Sequence, residues 1–236
     1  MAKKDLTPFE EKIGFSFTDK ELLQQALVHR SYLNENKHFP LGHNERLEFL
    51  GDAVLELSVT NYLYQNYDLP EGELTNLRAA IVRGEMLSQV AAEIDMDDYL
   101  LLSRGERKGT QKARQYILAN AFEAVIGALY LDQGYEAADA FINRYIISKL
   151  EEVQAKGLHI DAKSKFQELA QEKFRITPSY AVLQEMGADH EKHFIVGVYL
   201  NKKKMGEGKG MSKQAAQQEA AIKALAALEN LKGGAY

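Results

Sequence analysis

His43-Asn44-Glu45-Arg46-Leu47-Glu48-Phe49-Leu50-Gly51-Asp52 is the stretch on which the reading of this chain turns. Leu47, Leu50, Val54 and Leu57 recur at helical spacing, which predicts a helix that buries this stripe. On such a helix Glu48 and Asp52 stand four residues apart and share a face. Glu45, three residues before Glu48, lies near the same line. Like charges at this spacing destabilise a helix by about a few tenths of a kcal/mol. With Leu47, Phe49 and Leu50 interleaved, the acids are poorly placed for full solvation, and something positive should compensate them.

A second segment, 117–129, is apolar apart from Asn120 and Glu123, which are three residues apart and again on one side. A glutamate on a buried helix face is costly unless it is paired or metal-bound. Gly51 and Gly127 would let the two helices approach closely. The result would be an oxygen-lined site, and hard carboxylate oxygens suit Mg²⁺, Mn²⁺ or Ca²⁺ better than zinc. The plainer alternative is ion pairing of these acids with Arg46, Arg78, Arg83 or Lys112, and the residues alone leave both readings open.

Outward from these segments, the first ~155 residues read as helices separated by short loops such as Asp68-Leu69-Pro70-Glu71-Gly72. Gly157 is a helix stop. Beyond it the pattern changes to a short helix over 162–173 and strands over 179–184, 194–200 and near 203–208. An alanine-rich helix follows over 212–228, with Ser212 as its N-cap. The expected fold is an all-α domain over 1–156, a linker over 157–161 and a small α+β domain of order α-β-β-β-α over 162–231.

Charge divides at the same place. Residues 1–160 carry 17 Lys and Arg against 25 Asp and Glu, a net −8, whereas residues 161–236 carry 12 against 9, a net +3. The whole-chain value of −5 hides an acidic half and a basic half suited to a polyanion. The chain has no cysteine, which excludes disulfides and thiolate metal sites and fits a reducing cytoplasm. Neither a membrane span nor a secretory signal is expected, because no apolar run approaches the ~20 residues that a span needs.

The string from Asn44 to Asp52 resembles the signature of the bacterial ribonuclease III family. Supporting segments stand in the family's order: His29-Arg30-Ser31-Tyr32 upstream, then Pro70-Glu71-Gly72-Glu73-Leu74-Thr75, Leu77-Arg78-Ala79 and the helix of Asn120 and Glu123. The resemblance covers nearly the whole chain. It implies metal-dependent endonucleolytic hydrolysis of double-stranded RNA by an activated water, giving 5′-phosphate and 3′-hydroxyl ends. By position it implies Glu48, Asp52, Asn120 and Glu123 as the metal cluster, with Asp52 and Glu123 catalytic and Glu45 and Glu71 as accessory acids. The implied cofactor is Mg²⁺, with Mn²⁺ as a substitute. Phe49 resembles the family's dimer-contact aromatic, although spacing alone favours an ordinary core residue. A homodimer would cut opposite strands and leave short 3′ overhangs, and the family implies work on rRNA precursors and mRNA.

Two departures stand out. Asn120 occupies a position where the family most often has Asp, so it supplies no charge to a metal. That leaves open a duplex-RNA-binding protein with an attenuated or inactive nuclease domain.

Residues 161–230 resemble a double-stranded-RNA-binding domain, a module that reads A-form shape. Ser164, Gln167 and Gln171 fall at i, i+3 and i+7, a polar helix face for 2′-hydroxyls. His190 sits in the loop that would reach a second minor groove, and Ser212, Lys213 and Gln214 open the last helix toward phosphate. The second departure lies here: the family usually has two or three basic residues at this helix start, and this chain has only Lys213. Lys202-Lys203-Lys204 reads as a solvated hairpin.

Overall fold

Short apolar stripes closed by turn residues make the first part of the chain a set of helices, and the computed structural model describes residues 5–157, 161–187 and 192–230. The chain divides into two compact units, Met1–His159 and Ile160–Tyr236. Among the described residues, the α-helices of the first unit are α1 Thr7–Ile13, α2 Lys20–Ala26, α3 Arg30–Glu35, α4 Glu45–Asn66 and α5 Glu71–Val82. They continue with α6 Gly84–Glu93, α7 Arg104–Arg107, α8 Gln111–Gln133, α9 Tyr135–Tyr145 and α10 Leu150–Ala155.

Helix α8 is the centre. It buries Ile117, Leu118, Ala119, Ala121, Phe122 and every residue from Ala124 to Leu129. A helix apolar on nearly all sides must be enclosed, and α2, α4, α6 and α9 pack around it. The Thr110 side chain caps its start by accepting from the Ala113 N–H at 3.2 Å. Gly134, with φ 85°, turns the chain out of it.

The start of α4 is fixed by a buried asparagine. Asn44 Nδ2 donates to the Ala26 carbonyl at 3.1 Å, and its backbone N–H donates to the Val28 carbonyl at 2.9 Å. From there α4 buries Leu47, Gly51, Val54, Leu55, Ser58, Val59 and Leu63. This corrects the stripe expected from spacing. Leu47 and Val54 belong to the core, but Leu50 is half-buried and Leu57 is 58% exposed. Turning by about 100° per residue, Phe49, Ala53, Leu57 and Tyr64 form a second, exposed apolar line. The acids Glu45, Glu48 and Asp52 run between the two lines.

The second unit has the expected order: α11 Ala162–Phe174, β1 Ser179–Met186, β2 His193–Leu200, β3 Lys203–Gly210 and α12 Lys213–Asn230. The strands form an antiparallel sheet in the order β1-β2-β3. Each strand is longer than its sequence pattern indicated, β3 by two residues. The reason is a run of alternating glycines that carries no hydrophobic signal. A Cβ at Gly206, Gly208 or Gly210 would lie 2.2–2.5 Å from the backbone of α12. The helix therefore rests directly on the β3 backbone, with Ala216, Ala220, Ala221 and Ala224 buried beneath it.

Candidate functional site

The acidic site of the first unit is built at the crossing of α4 and α8. A Cβ on Gly51 would fall 1.8 Å from the Glu123 carbonyl oxygen, and one on Gly127 would fall 2.2 Å from the Leu47 carbonyl oxygen. The two backbones are thus in contact, as the pair of glycines suggested. Gly51 is flanked by Glu48 and Asp52, and Gly127 lies one turn beyond Glu123. Backbone contact at these two points gathers the acids of both helices into one group.

The electrostatics record this gathering. Burial, with Asp52 and Glu48 adding like charge, pushes the Glu123 carboxyl up to about 7. Glu48 is also raised above the ordinary carboxylate range, first by burial, then by Glu45 and Asp52, while a hydrogen bond from the Asn120 side chain opposes the shift. Glu48, Asn120 and Glu123 are part-buried and Asp52 is exposed. Five of the six acidic-site positions picked from sequence therefore stand together. Glu71 does not join them: it sits exposed at the start of α5, where its carboxylate accepts from Thr75 Oγ1 at 2.9 Å.

The ion-pairing alternative is resolved by where the cations go. Arg78 pairs with Glu56 at 2.9 Å, and Arg83 with Glu85 at 3.7 Å. Among the described residues, no salt bridge reaches Glu48, Asp52 or Glu123. Glu45 is the exception, with Arg30 at 3.3 Å; His43 Nδ1 accepts from the Glu45 backbone N–H at 3.4 Å. Sequence reasoning missed the pairing with Arg30, because Arg30 and Glu45 lie on different helices that meet only in the folded chain. His29, beside it, caps α3 by accepting from the Ser31 N–H at 3.3 Å, and burial holds its pKa below the usual value.

The donors at the crossing are the hard oxygens of three carboxylates and one amide, with a negative charge that nothing in the described chain neutralises. That chemistry fits a divalent cation such as Mg²⁺. Among the described residues, no group of three or more His, Asp or Glu side chains is arranged so as to hold a metal ion. Mg²⁺ keeps several of its waters and would need only part of this donor set at once.

In the second unit, Ser164, Gln167 and Gln171 are exposed along α11, opposite buried Ala162, Phe166 and Ala170. Ser212 caps α12 through its side chain, which accepts from the Ala215 N–H at 3.1 Å. Lys213 and Gln214 are exposed at that end, and the Lys213 ammonium lies 5.6 Å from the centre of the Phe194 ring. His190 lies outside the described residues. Lys163 was not singled out from sequence, yet its Nζ donates to Gln217 Oε1 at 2.7 Å and sits 5.3 Å over the Tyr180 ring. It ties the two candidate RNA-facing helices together across 54 residues of sequence. Lys204 pairs with Glu207 at 2.7 Å, which leaves the β2–β3 hairpin with less free charge than its three lysines imply.

Comparison with known proteins agrees with both units. Residues 19–150 match the ribonuclease-III-like family, and residues 162–228 match the double-stranded RNA binding motif. The chain is similar to Ribonuclease 3 of Oceanobacillus iheyensis, with 44% identity over 227 residues, 96% of this chain and 99% of that protein. It is also 44% identical to Ribonuclease 3 of Enterococcus faecalis over 220 residues, 93% of this chain and 95% of that one. Among solved structures, the nuclease domain of ribonuclease III from Campylobacter jejuni superposes with a TM-score of 0.56 at 37% identity, covering 61% of this chain and 97% of that domain. A family match over more than half the chain, together with nearly end-to-end relatives, places this protein in the ribonuclease III family of endoribonucleases, its second unit a double-stranded RNA binding motif.

Proposed function

We propose that this chain is a homodimeric, divalent-metal-dependent endonuclease of double-stranded RNA, leaving 5′-phosphate and 3′-hydroxyl ends with short 3′ overhangs. Its work would be the processing of rRNA precursors and mRNA in the cytoplasm. Residues 1–156 would carry the cleavage, residues 162–231 the duplex binding, and residues 157–161 would join them. The observation that carries the reading is the set of carboxylates gathered without a countercharge at the Gly51–Gly127 crossing.

Glu48, Asp52, Asn120 and Glu123 would hold the metal, Mg²⁺ or Mn²⁺ in its place. When bound, such an ion neutralises charge developing on the phosphate and makes the attacking water more acidic. The chain's own contributions are positional. Asn120 hydrogen-bonds the Glu48 carboxylate and restrains it. Burial and the like charges of Asp52 and Glu48 raise the Glu123 carboxyl to about 7, so near neutral pH it is partly protonated in the metal-free chain, and a bound cation would favour its ionised form. Glu45 is already paired with Arg30, which supports an accessory role.

A dimer is supported by the exposed apolar line of α4. Phe49 is 81% exposed and Tyr64 79% exposed, so neither is a core residue of the single chain. Phe49, Leu57 and Tyr64 exposed along one helix face form the kind of apolar line that a partner surface would cover. Asp52 is three residues from Phe49 on the same helix, so pairing along this line would set two acid groups beside one shared face.

The test is incubation of the full chain with long duplex RNA, with and without Mg²⁺. Discrete fragments bearing 5′-phosphates, formed only with the metal, are the expected result. Tight duplex binding with no cleavage at any Mg²⁺ or Mn²⁺ concentration would favour the second reading, a duplex-binding protein with an attenuated nuclease, which the uncharged Asn120 supports.

A further inference from the structure

Helix α8 does not end its acid-bearing face at Asn120. Counting back by helical steps, Glu123, Asn120, Tyr116 and Lys112 lie on one line. Exposure rises along it, from part-buried Glu123 and Asn120 to Tyr116 at 62% and exposed Lys112. The line is a ramp from solvent to the acid group, about 16 Å long at 1.5 Å per residue. Among the described residues, neither Tyr116 nor Lys112 has a hydrogen bond, an ion pair or a ring contact. Tyr116 is a large aromatic held out in water one turn from the candidate metal ligands.

An aromatic ring in this position offers a flat apolar surface to a ribose at the shallow minor groove, the part of an A-form duplex that proteins reach. Lys112, one turn further out, supplies the single positive charge on an otherwise acidic or neutral line and would favour a phosphodiester backbone lying along it. We propose that Tyr116 is a substrate-contact residue: its ring seats on a ribose of the strand entering the acid group, and Lys112 meets a phosphate beyond it. The inference rests on the endonuclease reading above, and it adds to that reading which strand-holding residues flank the scissile bond.

The chain has no tryptophan, so Tyr116→Trp places a lone indole at the proposed contact. Three variants of the full chain, Tyr116→Ala, Tyr116→Phe and Tyr116→Trp, are compared on one duplex RNA. Tyr116→Ala should raise KM roughly five- to tenfold, as loss of one aromatic contact to RNA does, with kcat within about twofold of the parent. Tyr116→Phe and Tyr116→Trp should stay near the parent. In a Tyr116→Trp, Glu123→Gln double variant with Mg²⁺ present, indole emission should change as duplex RNA saturates the protein, with binding followed separately by anisotropy of labelled RNA. An unchanged KM for Tyr116→Ala, or indole emission that ignores saturating duplex, overturns the proposal. A loss traced by sedimentation to a shift from dimer to monomer also overturns it, because the ring would then be a subunit contact. If the parent protein cuts no RNA under any metal, the endonuclease reading is what has failed, and the emission of the double variant still decides whether Tyr116 meets RNA.

Discussion

Replacing Glu123 by Gln should make the metal-free protein more stable at pH 8 and no more stable at pH 5. The folded carboxyl titrates near 7 against an ordinary 4.5. Because the folded state raises this pKa, the protonated form is the one the fold favours. Its contribution is fully present below about pH 4.5 and is lost as pH rises through 7. At pH 8 the wild-type chain therefore holds an unfavourable charge beside Glu48 and Asp52, whereas glutamine is neutral and nearly isosteric. At 1.36 kcal/mol per pKa unit the shift corresponds to about 3 kcal/mol. Glu123 is not fully enclosed, and solvent screening brings a realistic figure down to about 2 kcal/mol. For a unit of this size that is roughly 4–8 °C in melting temperature. The assay is thermal unfolding of the full chain in EDTA at pH 5 and pH 8, followed by circular dichroism at a helical wavelength. Millimolar Mg²⁺ should then raise the wild-type melting temperature at pH 8 and leave Glu123→Gln little changed, since a ligand stabilises only the state that binds it. A Glu123→Gln protein that melts below wild type at pH 8, or a difference between the two that is the same at both pH values, would refute the account of the acid group as a store of uncompensated charge.

Three further outcomes follow from the same geometry. Asn120→Asp should lower the Mg²⁺ concentration for half-maximal cleavage by roughly one to two decades, as an added carboxylate worth about 1–3 kcal/mol would do; identical metal titrations would show that position 120 supplies no charge-sensitive ligand. Gly127→Ala forces a methyl to within 2.2 Å of the Leu47 carbonyl oxygen, so the helices must separate, with a loss of about 3 kcal/mol or more by denaturant unfolding and loss of cleavage. Phe49→Glu should leave the fold intact, because the ring is 81% exposed, and should shift sedimentation toward monomer at micromolar concentration.

Much of this was legible in the sequence because the signals were local. Glu48 and Asp52 share a face at any helical i, i+4 spacing, and the polar residues Asn120 and Glu123 stood out in an otherwise apolar run. Gly51 and Gly127 announced a close approach because no other role in a helix interior favours glycine. What escaped depended on which side of a helix meets the rest of the fold. The two apolar lines of α4 look equivalent in sequence, and only the packing against α8 decides that Leu47 and Val54 are buried while Phe49 and Leu57 are not. Lys163 and Gln217 meet across the α11–α12 contact, a long-range pairing that no periodicity encodes. The last two residues of β3, Lys209 and Gly210, escaped for a different reason: Gly210 lies in the strand because the helix rests on it, and a strand with glycine at alternate positions has no hydrophobic pattern to read.

The crossing of α4 and α8 has a consequence for how such a site can vary. Where two helices are separated by side chains, exchanging a leucine for a valine resets the gap by fractions of an ångström. Here peptide groups touch peptide groups, so the gap is at its lower limit and has no side chain to exchange. The spacing of Glu48, Asp52 and Glu123 is thus insulated from drift in the surrounding core. What remains adjustable is the identity of the donors themselves, and Asn120, an amide in a group otherwise made of carboxylates, is an adjustment of that kind: it alters the charge offered to a cation without altering where the cation would sit.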